Sequence, residues 1–213
     1  MHRFFNAAHV HGNVVFNFTR RPIDDLGAFA LGYREAANIL AQRMAAARGY
    51  ADYDGYPILF MYRHALELSL KAIVYRGAKL VGLISEEHID VKQLFERHDL
   101  TRLLPAIKSI FDQLGSDFEG SGLESYDDFA DLIRSIDSID SGSYTFRYPI
   151  DRTGEANLPH HFVVNVLEFA QGMDTLLQFL DGAKTAIDEQ WQAEQEAHHE
   201  LEQLAADWEG GDA

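Results

Sequence analysis

Arg63, His64, Glu67 and Lys71 lie in one eleven-residue stretch, Tyr62-Arg63-His64-Ala65-Leu66-Glu67-Leu68-Ser69-Leu70-Lys71-Ala72, that is otherwise mostly apolar. Two further stretches carry residues of the same kind: His98-Asp99-Leu100-Thr101-Arg102-Leu103-Leu104 and Phe146-Arg147-Tyr148-Pro149. Guanidinium, imidazole, ammonium and carboxylate groups together are the parts of an anion site. They are also the parts of metal-independent RNA cleavage, in which a base of near-neutral pKa deprotonates a 2′-hydroxyl and a cation steadies the phosphorane. His64 or His98 can be that base, and Arg63 or Arg147 that cation.

The spacing says how a helix would present the first group. At about 100° per residue, with Arg63 at the origin, Glu67 stands at about 40°, Lys71 at about 80° and His64 at about 100°. Leu59, Tyr62, Leu66, Leu70 and Ile73 fill the other side, so the helix is apolar nearly all round and belongs at the centre of a fold. Arg63 and Glu67 are i,i+4, as are Glu67 and Lys71, so one carboxylate can serve two cations. Two readings stay open. The stripe is either a structural ion network, or a site in which Glu67 orients Arg63 while His64 and Lys71 meet an anion. His98-Asp99 has the same ambiguity, since an acid in the first turn of a helix is ordinary capping and dipole chemistry. Arg147 either meets a ligand or pins its loop to backbone carbonyls.

Helical periodicity supplies the frame that must position these groups. Leu26, Phe29, Ala30, Tyr33, Ala37, Leu40, Ala41 and Met44 predict a helix over 24–48, ended by Gly49. A second is expected from Pro57, a favoured first-turn residue, to Gly77. Residues 81–96 read as an irregular connection with one helical turn at 91–95. A helix over 98–114 ends at Gly115, and an amphipathic helix over 125–138 is built on Phe129, Leu132, Ile133 and Ile136. Gly142, Pro149, Gly154 and Pro159 punctuate a non-helical stretch over 141–159. A long last helix is expected from about Pro159, burying Phe162, Val163, Val166, Leu167, Phe169, Ala170, Met173, Leu176, Leu177 and Leu180. The expectation is an all-α, up-and-down bundle of about five helices over 23–182. An N-terminal arm over 1–22 precedes it, with weak alternation at Val14, Phe16 and Phe18. An acidic helical extension over 183–213 follows, with a sparse apolar seam of Trp191, Leu201, Leu204 and Trp208.

Composition narrows the partners. The 213 residues carry a net charge of −16, divided as +1 over 1–56, +2 over 57–108, −10 over 109–180 and −9 over 181–213. Such a field repels phosphate at long range, which argues against DNA as a partner, while the cationic middle leaves room for a local anion pocket. Without cysteine there are no disulfides and no thiolate metal sites. No signal peptide and no membrane-length apolar run stand out, so a soluble cytoplasmic protein that engages no membrane is expected.

Taken in order, the Arg63-His64-x-x-Glu67-x-x-x-Lys71-Ala72 helix, the His98-Asp99-Leu100 helix start and the Arg147-Tyr148-Pro149 segment before the last helix resemble a HEPN domain, over roughly residues 24–182. The resemblance implies a helical bundle, commonly dimeric, that handles nucleotides, RNA or anions. It also implies that Arg63, His64, Lys71, His98 and Arg147 meet the ligand, with Glu67 orienting. Many members are ribonucleases of toxin or phage-defence systems, with a partner protein encoded nearby. Their mark is an Arg, four to six residues, then a His on a late helix. Here 12 or 13 residues separate Arg147 from His160 and His161, and 7 or 8 separate Arg152 from them; Arg3 and His9 fit the spacing but lie in the arm. The expected function is therefore a nucleotide- or RNA-binding regulatory module. A metal-independent endoribonuclease using His64 and Arg63 is the alternative, and a helical interaction scaffold a third reading.

No cofactor or metal is expected. Glu194, His198 and Glu202 share a helix face, but His-Glu-x-x-His is missing and no third ligand-bearing element is in register. Gly115, Gly120 and Gly122 lack the Lys-Ser/Thr of a phosphate loop.

Overall fold

A computed structural model describes residues 14, 22–80, 91–115 and 118–210. A 3₁₀ turn, Pro22–Asp25, leads into α1, Leu26–Ala46. It is followed by α2, Gly55–Leu80; α3, Val91–Glu96; α4, Leu104–Leu114; α5, Tyr126–Ile139; and α6, Val166–Gly210. Among the described residues the protein is all-helical, with one isolated antiparallel bridge between Ile150 and Ala156. The expected arm falls almost entirely outside the described residues. Among the described residues no helix is long and apolar enough to cross a membrane.

The central place expected for the second helix is where α2 lies. Ile58, Tyr62, Ala65, Leu66, Leu70 and Ile73 are at most 1% exposed, packed between α1, α4 and α6. A fully buried aliphatic side chain contributes about 1.5–3 kcal/mol, so this one helix anchors much of the core. The expected stop at Gly77 does not occur. A Cβ there would sit 2.7 Å from Ile110 Cγ2, so Gly77 is the point of closest approach between α2 and α4, and the helix runs through it to Leu80.

Two other boundaries differ from expectation. The helix assigned to 98–114 begins only with a 3₁₀ turn at Thr101–Leu103 and α4 at Leu104, leaving His98 and Asp99 in non-helical backbone. It ends as expected, with Gly115 in the left-handed region at φ 64°, a conformation that costs glycine nothing. The last helix starts at Val166, not Pro159. His161 takes a left-handed φ of 61°, and the Asn165 side-chain oxygen accepts from the Glu168 N–H, which caps the helix at Asn165. Val163, expected in the core, is consequently 88% exposed. By contrast α5 starts as predicted: Ser125 Oγ accepts from the Asp128 N–H at 3.2 Å, with Asp127 and Asp128 in the favoured first turn.

Candidate functional site

Glu67 is 2% exposed and divides its two oxygens among three partners. Oε2 accepts from Arg63 Nη1 at 2.5 Å, while Oε1 accepts from Lys71 Nζ at 2.7 Å and lies 2.8 Å from His98 Nδ1. Burial pushes the Glu67 carboxyl up. The Lys71 hydrogen bond and charge, with Arg63 and His98, outweigh burial and hold its pKa below the ordinary value.

Arg63 is wholly enclosed. Besides Glu67, its Nη2 donates to the His98 carbonyl and its Nε donates to the Asp140 carbonyl at 3.2 Å. Carboxylates of Asp140, at 3.6 Å, and Asp137, at 3.9 Å, complete its surroundings. Lys71, 2% exposed, also donates to the Arg97 carbonyl at 2.8 Å. The stripe thus fastens α2 to the segment before α4 and to the end of α5. Asp137 tightens the same joint: its carboxylate accepts from the Leu100 and Thr101 N–H groups and from the Thr101 hydroxyl. The 3₁₀ turn that leads into α4 is therefore capped by Asp137, from a different element. Asp99 instead pairs with Arg102 at 2.9 Å.

One group of this network meets solvent. The His98 side chain is 41% exposed while its Nδ1 faces Glu67. A carboxylate against Nδ1 favours the tautomer in which Nε2 is the free acceptor, the form a general base needs.

His64 follows Arg63 in sequence and has a different neighbourhood. Its ring stacks on Phe60, with centroids 5.7 Å apart and planes 10° from parallel, and meets the Tyr33 ring edge-on at 4.5 Å. It is half-buried. Burial lowers its pKa; Glu67 opposes this, and the charges of Arg63, Arg147 and His98 add to the lowering. At neutral pH the imidazole is therefore neutral.

Phe60 joins His64 to Arg147. The exposed Arg147 guanidinium sits 5.4 Å from the Phe60 centroid, 5.0 Å from Tyr144 and 5.8 Å from Tyr148, and its Nε donates to the Ser143 carbonyl. Arg152 lies over one of the same rings, 5.2 Å from the Tyr144 centroid, and donates to the Tyr144 hydroxyl. Among the described residues neither Arg147 nor Arg152 pairs with a carboxylate, which leaves the charge of each ring-held cation available to an anion. Tyr148 also lines a groove of about 670 Å³ beside Tyr50, Tyr56, Asp52, His161 and Phe162. That volume lies within the range of small-molecule sites.

The six candidate residues thus divide in two. Arg63, Glu67, Lys71 and His98 form one hydrogen-bonded network; His64 and Arg147 share Phe60 on the surface. Reasoning from sequence missed Phe60, Tyr144 and Tyr148 as ring partners, and Asp137 and Asp140 as anions of the network. The signal for Asp137 was present: it falls four residues after Ile133 and eight after Phe129, an acid on the apolar face of α5. No three His, Asp or Glu side chains among the described residues converge to hold a metal ion. Comparison of the chain with protein-family models, curated proteins and solved structures gave no match.

Proposed function

We propose that the protein is a nucleotide- or RNA-binding module whose ligand meets Arg147, His64 and His98 on the surface. Bases would stack on the tyrosines that lead from Arg147 into the adjoining groove. The observation that carries this reading is the exposed Arg147 guanidinium lying over Phe60, Tyr144 and Tyr148, with Tyr148 forming the edge of the groove. Single-stranded nucleic acid is bound by this combination of cation and ring face, each stacked base contributing about 1–3 kcal/mol. Duplex DNA gains little from it, because its bases are already stacked and the acidic molecule repels its dense phosphates. The HEPN resemblance points to the same ligand class. In this reading Arg63 and Lys71 hold the scaffold, and Glu67 orients His98.

A second reading, the metal-independent endoribonuclease, is favoured by one specific observation: a buried carboxylate directed at Nδ1 of a half-exposed histidine. There His98 would be the base and Arg147 the cation for the phosphorane, since Arg63 is enclosed.

One set of measurements separates these readings. Fluorescence titration of the intact protein with a labelled single-stranded RNA and with a mononucleotide, in chelator, should give saturable binding that Arg147→Ala and Tyr148→Ala weaken and the distant Lys108→Ala leaves unchanged. RNA shortened under the same conditions, and left intact by His98→Ala, establishes the second reading. Neither binding nor cleavage overturns both and leaves the interaction scaffold.

A further inference from the structure

The groove beside Tyr148 differs in charge from the surface that leads into it. Arg147 and Arg152 stand over the rings of Tyr144 and Tyr148, whereas none of the side chains lining the groove is Lys or Arg. Its one acid is Asp52. A nucleotide bound across both therefore has a direction. Its phosphate belongs at the guanidiniums and its base in the groove, because the reverse would set phosphate against carboxylate.

Local structure places Asp52. It opens a 3₁₀ turn, Asp52–Asp54, just ahead of α2. The Asp54 carboxylate accepts from the Ala51 N–H at 3.0 Å, and the Asp52 carbonyl accepts from the Gly55 N–H. The backbone on both sides is thus tied, while the exposed Asp52 side chain has no hydrogen-bond or ion-pair partner among the described residues. Tyr50 and Tyr56 stand to either side of it in sequence, line the same groove and are both exposed. A free carboxylate among ring faces fits a flat ligand that stacks on the rings and donates from its edge. Two amides of the groove each have one atom committed. Asn157 Nδ2 donates to the Tyr148 carbonyl at 2.7 Å, leaving Oδ1 to accept; Asn165 Oδ1 accepts from the Glu168 N–H, leaving Nδ2 to donate.

The RNA bases differ in what they offer a carboxylate. Guanine alone has two adjacent donors, N1–H and the N2 amine, which match the two carboxylate oxygens in parallel hydrogen bonds; its O6 can accept from an amide. Adenine and cytosine each set a ring-nitrogen acceptor beside their amine, and uracil holds its single N3–H between two carbonyls. In those three an acceptor would face the carboxylate.

We infer that the groove selects guanine, the Asp52 carboxylate accepting from N1–H and the N2 amine, the tyrosine rings covering the base and Arg147 taking the phosphate. The inference rests on the nucleotide-binding reading and adds to it the identity of the base.

Calorimetric titration of the intact protein with GMP, AMP, CMP and UMP tests it, alongside short uridine-rich RNAs that carry one guanosine, inosine or adenosine. The guanine ligands should bind at least about tenfold more tightly than the adenine ones, the size of a good bidentate contact to a base edge. IMP and the inosine RNA keep N1–H and O6 but lack the N2 amine, and should lose most of that advantage. Asp52→Asn, an isosteric change at an exposed position, should bring the GMP-to-AMP ratio close to one at the parent's melting temperature. Arg147→Ala should weaken both and keep the ratio. Equal affinity for all four bases, with Arg147→Ala still weakening each, overturns guanine selection and leaves the nucleotide-binding reading in place. A guanine preference that survives Asp52→Asn, or that inosine shares in full, overturns the role of Asp52. Absence of binding by every nucleotide and RNA overturns both.

Discussion

Arg63 and Arg147 both send a guanidinium toward α2 chemistry, one from within the helix and one from the loop after α5, and their surroundings differ throughout. Arg63 has anions and carbonyls on every side and no exposure; Arg147 has aromatic faces, one carbonyl and open solvent. His64, next in sequence to Arg63, belongs with Arg147 because one residue turns the helix by about 100°. The difference teaches that charge in an apolar frame has two uses. Where carboxylates and carbonyls of other elements enclose it, the group fixes how elements join. Where rings replace counter-ions, its charge remains for a ligand.

The largest expected effect comes from breaking the enclosed side. Arg63→Met removes one partner and leaves Glu67 and Asp140 buried without it; a lost partner in such a network costs about 3–5 kcal/mol. For a domain of this size that is a fall of roughly 6–20 °C in melting temperature, read by calorimetry or circular dichroism. Glu67→Gln should act in the same direction, since Arg63 and Lys71 then lose their shared anion. Arg147→Ala should melt within about 1 kcal/mol of the parent, the size of an exposed cation–ring contact. Equal melting of Arg63→Met and Arg147→Ala would erase the distinction between the two regions.

Asp137→Ala comes next. It removes the acceptor for two N–H groups and a hydroxyl at the 3₁₀ turn leading into α4, with an expected loss of about 1–2 kcal/mol measured by denaturant unfolding. Ser125→Ala, the local cap of α5, should cost about 1 kcal/mol or less, since Ser125 is exposed. The ratio sharpens the comparison between a cap borrowed from another element and one supplied in place.

The smallest effects depend on pH. The folded pKa of Glu67 lies below its unfolded value, so its contribution is complete above the unfolded pKa and is lost as pH falls through the folded one; Glu67→Gln should flatten the acid limb of the stability curve. His64 also has a lowered pKa, but it is a base. The unfolded chain binds its proton first, so stability declines as pH falls from about 6.5 toward the folded value. His64→Phe should remove that decline in urea melts taken at stepped pH. A decline that persists unchanged would assign it to a different group.

Much of the frame could be read from the chain because it depends on local rules. The period of Leu59, Tyr62, Leu66, Leu70 and Ile73 made α2 central, Ser125 announced α5, Gly115 ended α4, and the i,i+4 spacing set Glu67 between two cations. The start of α6 was legible too, in Asn165-x-x-Glu168, but a proline six residues earlier gave a competing signal. Gly77 misled because glycine has two uses, to stop a helix or to let another approach, and only Ile110 decides between them.

What the sequence alone determined, then, is the helical content, the central helix and the pairing of Glu67 with Arg63 and Lys71, since each follows from periodicity along one helix. What only the tertiary structure decided is which charges are closed in. Asp137 and Asp140 reach Arg63 across more than seventy residues, and Arg147 reaches Phe60 across a similar span. Whether an arginine is surrounded by carboxylates or by rings depends on which segments pack against it, and no rule of local spacing carries that information.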